Sequence, residues 1–503
     1  SKMRQRSFYI SGDFDRYLFV PSYIPCASFG HTVHEVMLMN KLTEHYEENV
    51  SALRRILDAD RNFDILEKHL LIADHAASLF FIDGLVKDDI LEKLIEYFYS
   101  LKPEDLPDSP DQFQMQNLPY IETEILTEMD DVLKNLLSGV PCLFINGMPD
   151  CLAIDCRTYP ARSVEEPMKD RTLRGSRDGF VETVVFNTAL IRRRIRSPKL
   201  CMEMQTVGKS TRTDIVLCYM EDRVDRQCLE RLKERISSIL IDSLTMNQES
   251  LAELLLPGHW FNPFPKYHIT ERPDTASASI LEGNIILLVD NSPSALILPT
   301  TLFAIMEEAN DYYFPPITGT YLRLSRALIM LISLILTPMF LLLMQHPQWI
   351  PESFRFIQVQ DTVNIPLIWQ FLLLELAIDG LRLAAIHTPD MLSTPLSVIA
   401  GLVIGEFAVN SGWFNAEVML YMAFVTIANY SQSNMELNYA VKFMRILLLL
   451  LTCWFGLTGF IAGILITFIS LLSCRTFSGR GYLYPLIPFR WKTLKRQLFR
   501  VKI

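Results

Sequence analysis

Three ionisable side chains stand where ionisable side chains are costly. Glu375, Asp379 and Arg382 lie at i, i+4 and i+7 of PLIWQFLLLELAIDGLRLAAI, so a helix carries them on one stripe of an otherwise apolar surface. Groups of this kind inside a membrane segment must face a partner, water or a pathway. Glu406 and Asn410 repeat the pattern in VIAGLVIGEFAVNSG, among small residues that permit close helix contact. Asn429, Gln432, Asn434 and Glu436 form a polar connection further on. Two chemistries suit the set Glu375, Asp379, Arg382, Glu406 and Asn410. One is structural: the groups hold helices together, Asp379 or Glu375 pairs with Arg382, or the helix lies at the membrane interface. The other is the lining of an ion path, or its support.

A second polar segment, RGSRDGFVETVVFNTALIRRRIR, runs from Arg174 to Arg196. Gly175 and Gly179 frame a turn, a helix begins near Phe180, and Arg192, Arg193 and Arg194 complement the dipole at its C-terminal end. Arg174, Arg177, Arg192, Arg193 and Arg194 suit an anion site, acidic neighbours in the chain, or contacts with a second subunit or partner. Gly208-Lys209-Ser210 looks like the end of a phosphate loop, but Glu203 stands where that loop needs a glycine. A turn entering a strand from Asp214 is the expectation there. Cys142, Cys151 and Cys156 have neither a CxxC pair nor a neighbouring histidine, and read as buried reduced thiols. His31, His34, His69, His75, His259 and His268 belong to no HExxH, GxSxG or paired-carboxylate pattern. An enzyme is not expected, nor a cofactor or metal.

The elements that position these residues divide sharply. Charged residues make up about one in four as far as Arg326 and about one in twelve from Ala327 to Cys474. Ile446 to Ser473 has none, and about 28 such residues would make a helix of roughly 42 Å, against a hydrocarbon core of about 30 Å. The net charge of −10 splits into about −14 before Ala327, about −4 in the apolar part and about +8 in the tail, a pattern that keeps the tail cytoplasmic and close to anionic headgroups. An acidic soluble part argues against a nucleic-acid partner. The first residues lack a signal-peptide core and the nine cysteines lack a framework spacing, so a cytoplasmic start is expected. Apolar runs at 327–345, 366–386, 393–409, 416–430 and 446–473 give five spans if all are counted. Four are favoured, with the charged Glu375 segment at the interface; a break near Gly456 and Gly459 would give six.

In the soluble part, helical periodicity marks 42–57 and 90–101, and a strand at 77–82 ends at Asp83-Gly84. Hairpins are expected around Asn146-Gly147 and around 290–293, a strand at 213–220 and an amphipathic helix at 222–239. The fold class is a cytoplasmic region of two small mixed α/β subdomains followed by an α-helical polytopic membrane domain. The expected boundaries are an extension at 1–41, subdomains at 42–165 and 166–320, a transmembrane domain at 321–474 and a basic tail at 475–503.

Several stretches together resemble the A-subunit family of bacterial spore germinant receptors. They are FFIDGLVKDDILEKLIEYF (80–98), LFINGMPDCLAIDCRTYPARSVEEP (143–167), RGSRDGFVETVVFNTALIRRRI (174–195), the long segment 262–303, NDYYFPPITGTYLRLSRA (310–327), VIAGLVIGEFAVNSG (398–412) and YPLIPF (484–489). Asn291 replaces the usual glycine of a DGSP turn, Glu406 replaces a usual glutamine, and IDGLRLAAIHTPD replaces an arginine-proline-rich connection. These departures lean towards the stage V sporulation protein AF branch. The resemblance implies a multi-pass protein of the spore inner membrane or cell membrane, with both termini on the core side. It further implies a ring-shaped homo-oligomer, with five copies as the family number, that passes monovalent cations during germination. Companion membrane subunits of the germination complex and the lipid bilayer are its partners. The alternative is a non-conducting scaffold that recruits germination proteins through its cytoplasmic domain.

Overall fold

A computed structural model of the chain describes residues 41–107, 109–118, 122–158, 172–255, 261–360, 365–387, 398, 401, 406–432, 434–474, 476–479 and 481–500. The N-terminal extension and the expected boundary at 165–166 lie outside them.

The soluble part contains two five-stranded sheets built on one plan. The first module runs α1 (Tyr46–Leu57), β1 (Ile65–Ile72), β2 (His75–Ile82), α2 (Asp88–Ser100), α3 (Pro110–Asn117), β3 (Thr123–Leu126), α4 (Met129–Leu137), β4 (Cys142–Ile145) and β5 (Cys151–Ile154). The second runs α5 (Val184–Arg194), β6 (Leu200–Val207), β7 (Thr213–Met220), α6 (Arg226–Ser237), α7 (Asn247–Leu255), β8 (His268–Thr270), α8 (Pro273–Leu281), β9 (Ile285–Val289) and β10 (Ala295–Leu298). Helix, hairpin, two helices, strand, helix, hairpin: the order repeats element by element. The sheet orders repeat too, β1-β2-β4-β5-β3 and β6-β7-β9-β10-β8, antiparallel throughout. Each sheet is apolar on both faces and packs a helix layer on each, which is why β4, β5, β9 and β10 are uninterrupted runs of buried residues.

Turn chemistry explains the hairpins. Ala73 and Asp74 both take positive φ between β1 and β2, as a two-residue turn demands, and Gly147 does so after β4. Asn291 occupies the left-handed region at φ 62, a conformation that asparagine tolerates better than most residues. Its neighbour Asp290 accepts from the Val184 N–H at 3.1 Å, capping α5 from across the module. The helix expected from Phe180 therefore starts at Val184.

The helical part begins with α9 (Ala309–Tyr313) and α10 (Pro316–Gln345), followed by α11 (Leu367–His387), α12 (Ala416–Tyr430), α13 (Met435–Ser473) and α14 (Trp491–Leu498). Helices α10 and α13 are long and apolar enough to cross a membrane, and α12 is a shorter apolar helix. The run 393–409 lies largely outside the described residues.

Helix α13 is not one rod. Gly456 takes φ 57 and ψ −132, a conformation reserved for glycine, and the chain doubles back there. A Cβ on Gly463 would meet Leu448, whose Cα stands only 3.3 Å from that point, and one on Gly459 would strike the Leu451 carbonyl. In a straight helix Leu448 and Gly463 would be about 22 Å apart. The final apolar run is thus a hairpin with arms 435–455 and 457–473, pressed together along Gly459 and Gly463. Of the arrangements open to the sequence, the break near Gly456 is the one the backbone takes.

Candidate functional site

The stripe on α11 meets its partners on α13. Arg445 is fully buried and donates to Glu375 Oε1 from Nε at 2.9 Å and from Nη2 at 2.5 Å, while its Nη1 donates to the Ser333 carbonyl of α10 at 3.3 Å. Lys442, one turn earlier, reaches Glu375 Oε2 at 3.4 Å and also pairs with Asp379. Two acids from one helix and two bases from another thus cancel inside the bundle, with a third helix supplying a carbonyl. In a low-dielectric site this balance is what makes burial of charge tolerable.

Arg382 does not belong to that cluster. The expected pairing of Asp379 or Glu375 with Arg382 is replaced by Lys442 and Arg445, because helix α11 turns Arg382 towards α12 and the start of α13. Its guanidinium lies over the Tyr430 ring at 5.2 Å and the Tyr439 ring at 5.5 Å. Nearby, Gln432 donates to the Arg326 carbonyl at 3.0 Å and Asn434 caps α13 by accepting from Leu437 at 2.8 Å. At the other end of α11, Gln370 and Asn415 exchange two hydrogen bonds of 2.8 and 2.9 Å. Glu406 and Asn410 are different again: both are exposed on the surface of the chain.

A second charged cluster joins the soluble part to α10. Asp311 of α9 is fully buried and binds Arg323 Nε at 3.1 Å and Arg326 Nη2 at 2.7 Å. Glu307 pairs with Arg323 at 3.1 Å and Glu308 with Arg326 at 3.3 Å. Burial, with help from Glu282 and Asp311 and against the pull of Arg323, pushes the Glu307 carboxyl up to about 7. Gly319 lies against the Asp311 carbonyl so closely that any Cβ would collide with it. Module two also packs directly on the bundle: Phe264, Leu302 and Ile305 share a core with Leu437, Ala440, Met444 and Tyr482.

The arginines expected at a subunit or partner surface fall into two groups. Arg192 is fully buried and grips Asp64 of module one with 2.8 and 3.1 Å hydrogen bonds, so it bridges modules within the chain and cannot reach a second subunit. Arg194 pairs with Asp178 at 2.5 Å; although burial opposes it, the hydrogen bonds from Arg194 and Ser176 hold that carboxyl below its usual range. Arg174, Arg177 and Arg193 remain exposed. The glycine turn itself is filled, since Gly175 abuts the Tyr313 ring and Arg272 donates to the Ser176 carbonyl at 2.8 Å. At Gly208-Lys209-Ser210 the amides of Lys209 and Ser210 donate to Ile241 and Asp242 carbonyls at 3.1 and 2.8 Å, leaving no phosphate cradle. Cys142, Cys151 and Cys156 are free and buried in module one.

Sequence reasoning passed over a further inter-module network. Arg61 binds Glu203 at 2.5 Å and Glu221 at 3.0 Å, Lys233 binds Glu203 at 2.8 Å, and Tyr219 donates to the same carboxylate. Beside it, Met202 donates to Asn62 Oδ1 at 2.7 Å and accepts from the Phe63 amide at 3.2 Å, so the edge strand β6 is covered by module one.

The profile of the Bacillus/Clostridium GerA spore germination protein family matches residues 51–503. The chain belongs to this family. It is similar to Stage V sporulation protein AF of Bacillus subtilis (strain 168), with 36% identity over 87% of this chain and 89% of the relative. Spore germination protein KA of the same organism shares 28% identity over 90% of this chain and 84% of its own length. The lean towards the stage V sporulation protein AF branch is borne out by that difference. The crystal structure of the N-terminal domain of the A subunit of the Bacillus megaterium spore germinant receptor GerK3 aligns with 52% of this chain and 96% of that domain, at 25% identity and a TM-score of 0.39.

Proposed function

We propose that this member of the GerA family is a multi-pass membrane subunit of the spore germination machinery whose copies surround a shared axis and pass monovalent cations. The observation behind this reading is a division among the intramembrane acids. Glu375 and Asp379 are neutralised inside one chain by Arg445 and Lys442, whereas Glu406 and Asn410 are exposed on its outside. A carboxylate facing hydrocarbon is costly, so Glu406 belongs against water or a neighbouring copy. Repeated around a ring, it makes an acidic collar that attracts cations and repels anions.

Orientation follows from the tail. The Arg500 amide donates to Thr320 Oγ1 near the start of α10, which supports a tail on the same side as the soluble modules. The positive-inside rule supports reading that side as cytoplasmic, the core side of a spore membrane. Other membrane subunits of a germination complex are natural partners, given the relatives named spore germination proteins KA and A1.

A non-conducting scaffold is the second reading, favoured by the complete pairing of the α11 acids within one chain. Full-length protein reconstituted in liposomes separates the two. The channel reading expects an oligomeric mass in lipid and cation flux that Glu406→Gln alters in size or selectivity without loss of assembly. A stable monomer without flux selects the scaffold, and a variant that only fails to assemble removes Glu406 from the path.

A further inference from the structure

The C-terminal segment 484–500 is built like a surface that meets charged lipid. Helix α14 buries Leu494, half-buries Thr493, Gln497 and Leu498, and exposes Trp491, Lys492, Lys495 and Arg496. Along the exposed side, Phe489, Trp491 and Phe499 alternate with Arg490, Lys492, Lys495 and Arg496. Phe489 and Trp491 stack at 6.3 Å, so the aromatic groups form a platform. No acidic residue lies between Arg475 and Ile503.

Its position is fixed by the joint already described. Arg323 Nη1 donates to the Gln497 carbonyl at 2.9 Å, and the Arg500 amide holds Thr320. Thr320 lies seven residues before Ala327, where the uncharged part of α10 begins, hence about 10 Å outside the apolar segment along the helix. That is the depth of phospholipid headgroups. Aromatic side chains concentrate at this level and basic amphipathic helices lie flat in it.

We propose that 484–500 is a strap that docks on an anionic phospholipid surface, with Lys492, Lys495, Arg496 and Arg490 taking the phosphates and Trp491 and Phe489 entering the headgroup boundary. Because the same segment holds Arg323, lipid charge bears directly on the joint between the soluble modules and α10. The inference rests on the reading that α10 crosses the bilayer, and the experiment separates the two.

Full-length protein is reconstituted in nanodiscs of phosphatidylcholine alone or mixed with phosphatidylglycerol, and backbone hydrogen exchange is followed by mass spectrometry. Amides of 491–498 should exchange more slowly in the anionic discs, and high salt should abolish the difference. Each cation at an anionic surface is worth about fivefold in occupancy, so the triple variant Lys492→Gln, Lys495→Gln, Arg496→Gln should lose on the order of a hundredfold. Protected amides in 327–345 show that the span reading holds; rapid exchange there sinks that reading first. With 327–345 protected, equal exchange of 491–498 in both lipids overturns the strap. So does protection in neutral discs that inorganic phosphate confers, or that rises with copies per disc, since either identifies a different occupant.

Discussion

Arg445 and Glu375 lie on different helices, seventy positions apart, and the guanidinium grips one carboxylate oxygen with two hydrogen bonds while touching a third helix through Ser333. Removal of either partner leaves a buried charge alone. Arg445→Ala and Glu375→Ala should each destabilise the bundle by about 3–5 kcal/mol. The double replacement by leucine should recover much of that loss, because it removes both charges and refills the space. Thermal unfolding of the full chain in detergent measures this. A double variant as unstable as the sum of the singles would show that the two side chains act independently.

Gly459 and Gly463 set the distance between the arms of α13. Gly459→Ala faces the Leu451 backbone oxygen, which cannot move without breaking its own arm, whereas Gly380 has open space around it among the described residues. Gly459→Ala should cost at least about 1–3 kcal/mol, and Gly380→Ala should be neutral or mildly stabilising through helix propensity. Unfolding in detergent again decides, and equal stability of the two variants would contradict the hairpin.

Part of this architecture is legible in the sequence and part is hidden for identifiable reasons. The Glu375 stripe stands out because charge is rare in apolar surroundings, but its partner Arg445 reads as the flank of the uncharged run, and Lys442 as ordinary approach to it. Only the packing of α11 and α10 against the first arm of α13 brings them together. Strand β2 shows a clean apolar run, while β1 (ILEKHLLI) carries Glu67, Lys68 and His69 mid-strand and offers no alternation. The repeated module is invisible because the two copies share order and pairing rather than residues. Arg192, Arg193 and Arg194 look equivalent in sequence, yet successive helix positions are about 100° apart, so a run of three cannot all face solvent on a packed helix. The structure places Arg192 inward.

That inward arginine gives a third expectation. Arg192 and Asp64 are both essentially inaccessible, so Asp64→Asn or Arg192→Met leaves the other charge unpaired between the modules. A loss of about 3–5 kcal/mol is expected, with faster hydrogen exchange at Met202, whose amide donates to Asn62 of module one. Slowed or unchanged exchange there, with stability intact, would mean the modules do not depend on this bridge.

Glu307 makes the joint sensitive to pH. Its carboxyl faces Arg323 and Tyr312, with Glu282 and Asp311 close by and Arg326 and Glu308 beyond, and a quarter of its side chain is exposed. Burial raises it from the usual 4.5 to about 7. The folded chain therefore binds this proton more tightly than the unfolded chain does. The resulting stability is complete below pH 4.5 and is lost as pH rises through about 7. The full shift corresponds to about 3–4 kcal/mol across that window, an upper value given the partial exposure. Glu282, also raised by burial, adds a smaller slope of the same sign. Glu307→Gln should flatten the curve and leave the variant the more stable of the two at about pH 8, because the amide carries no charge to bury. Melting temperatures of the full chain in detergent, from about pH 5 to about pH 8, provide the test. Parallel curves for wild type and variant would show that Glu307 keeps its charge throughout, and the Arg323 pair would then outweigh burial at the joint.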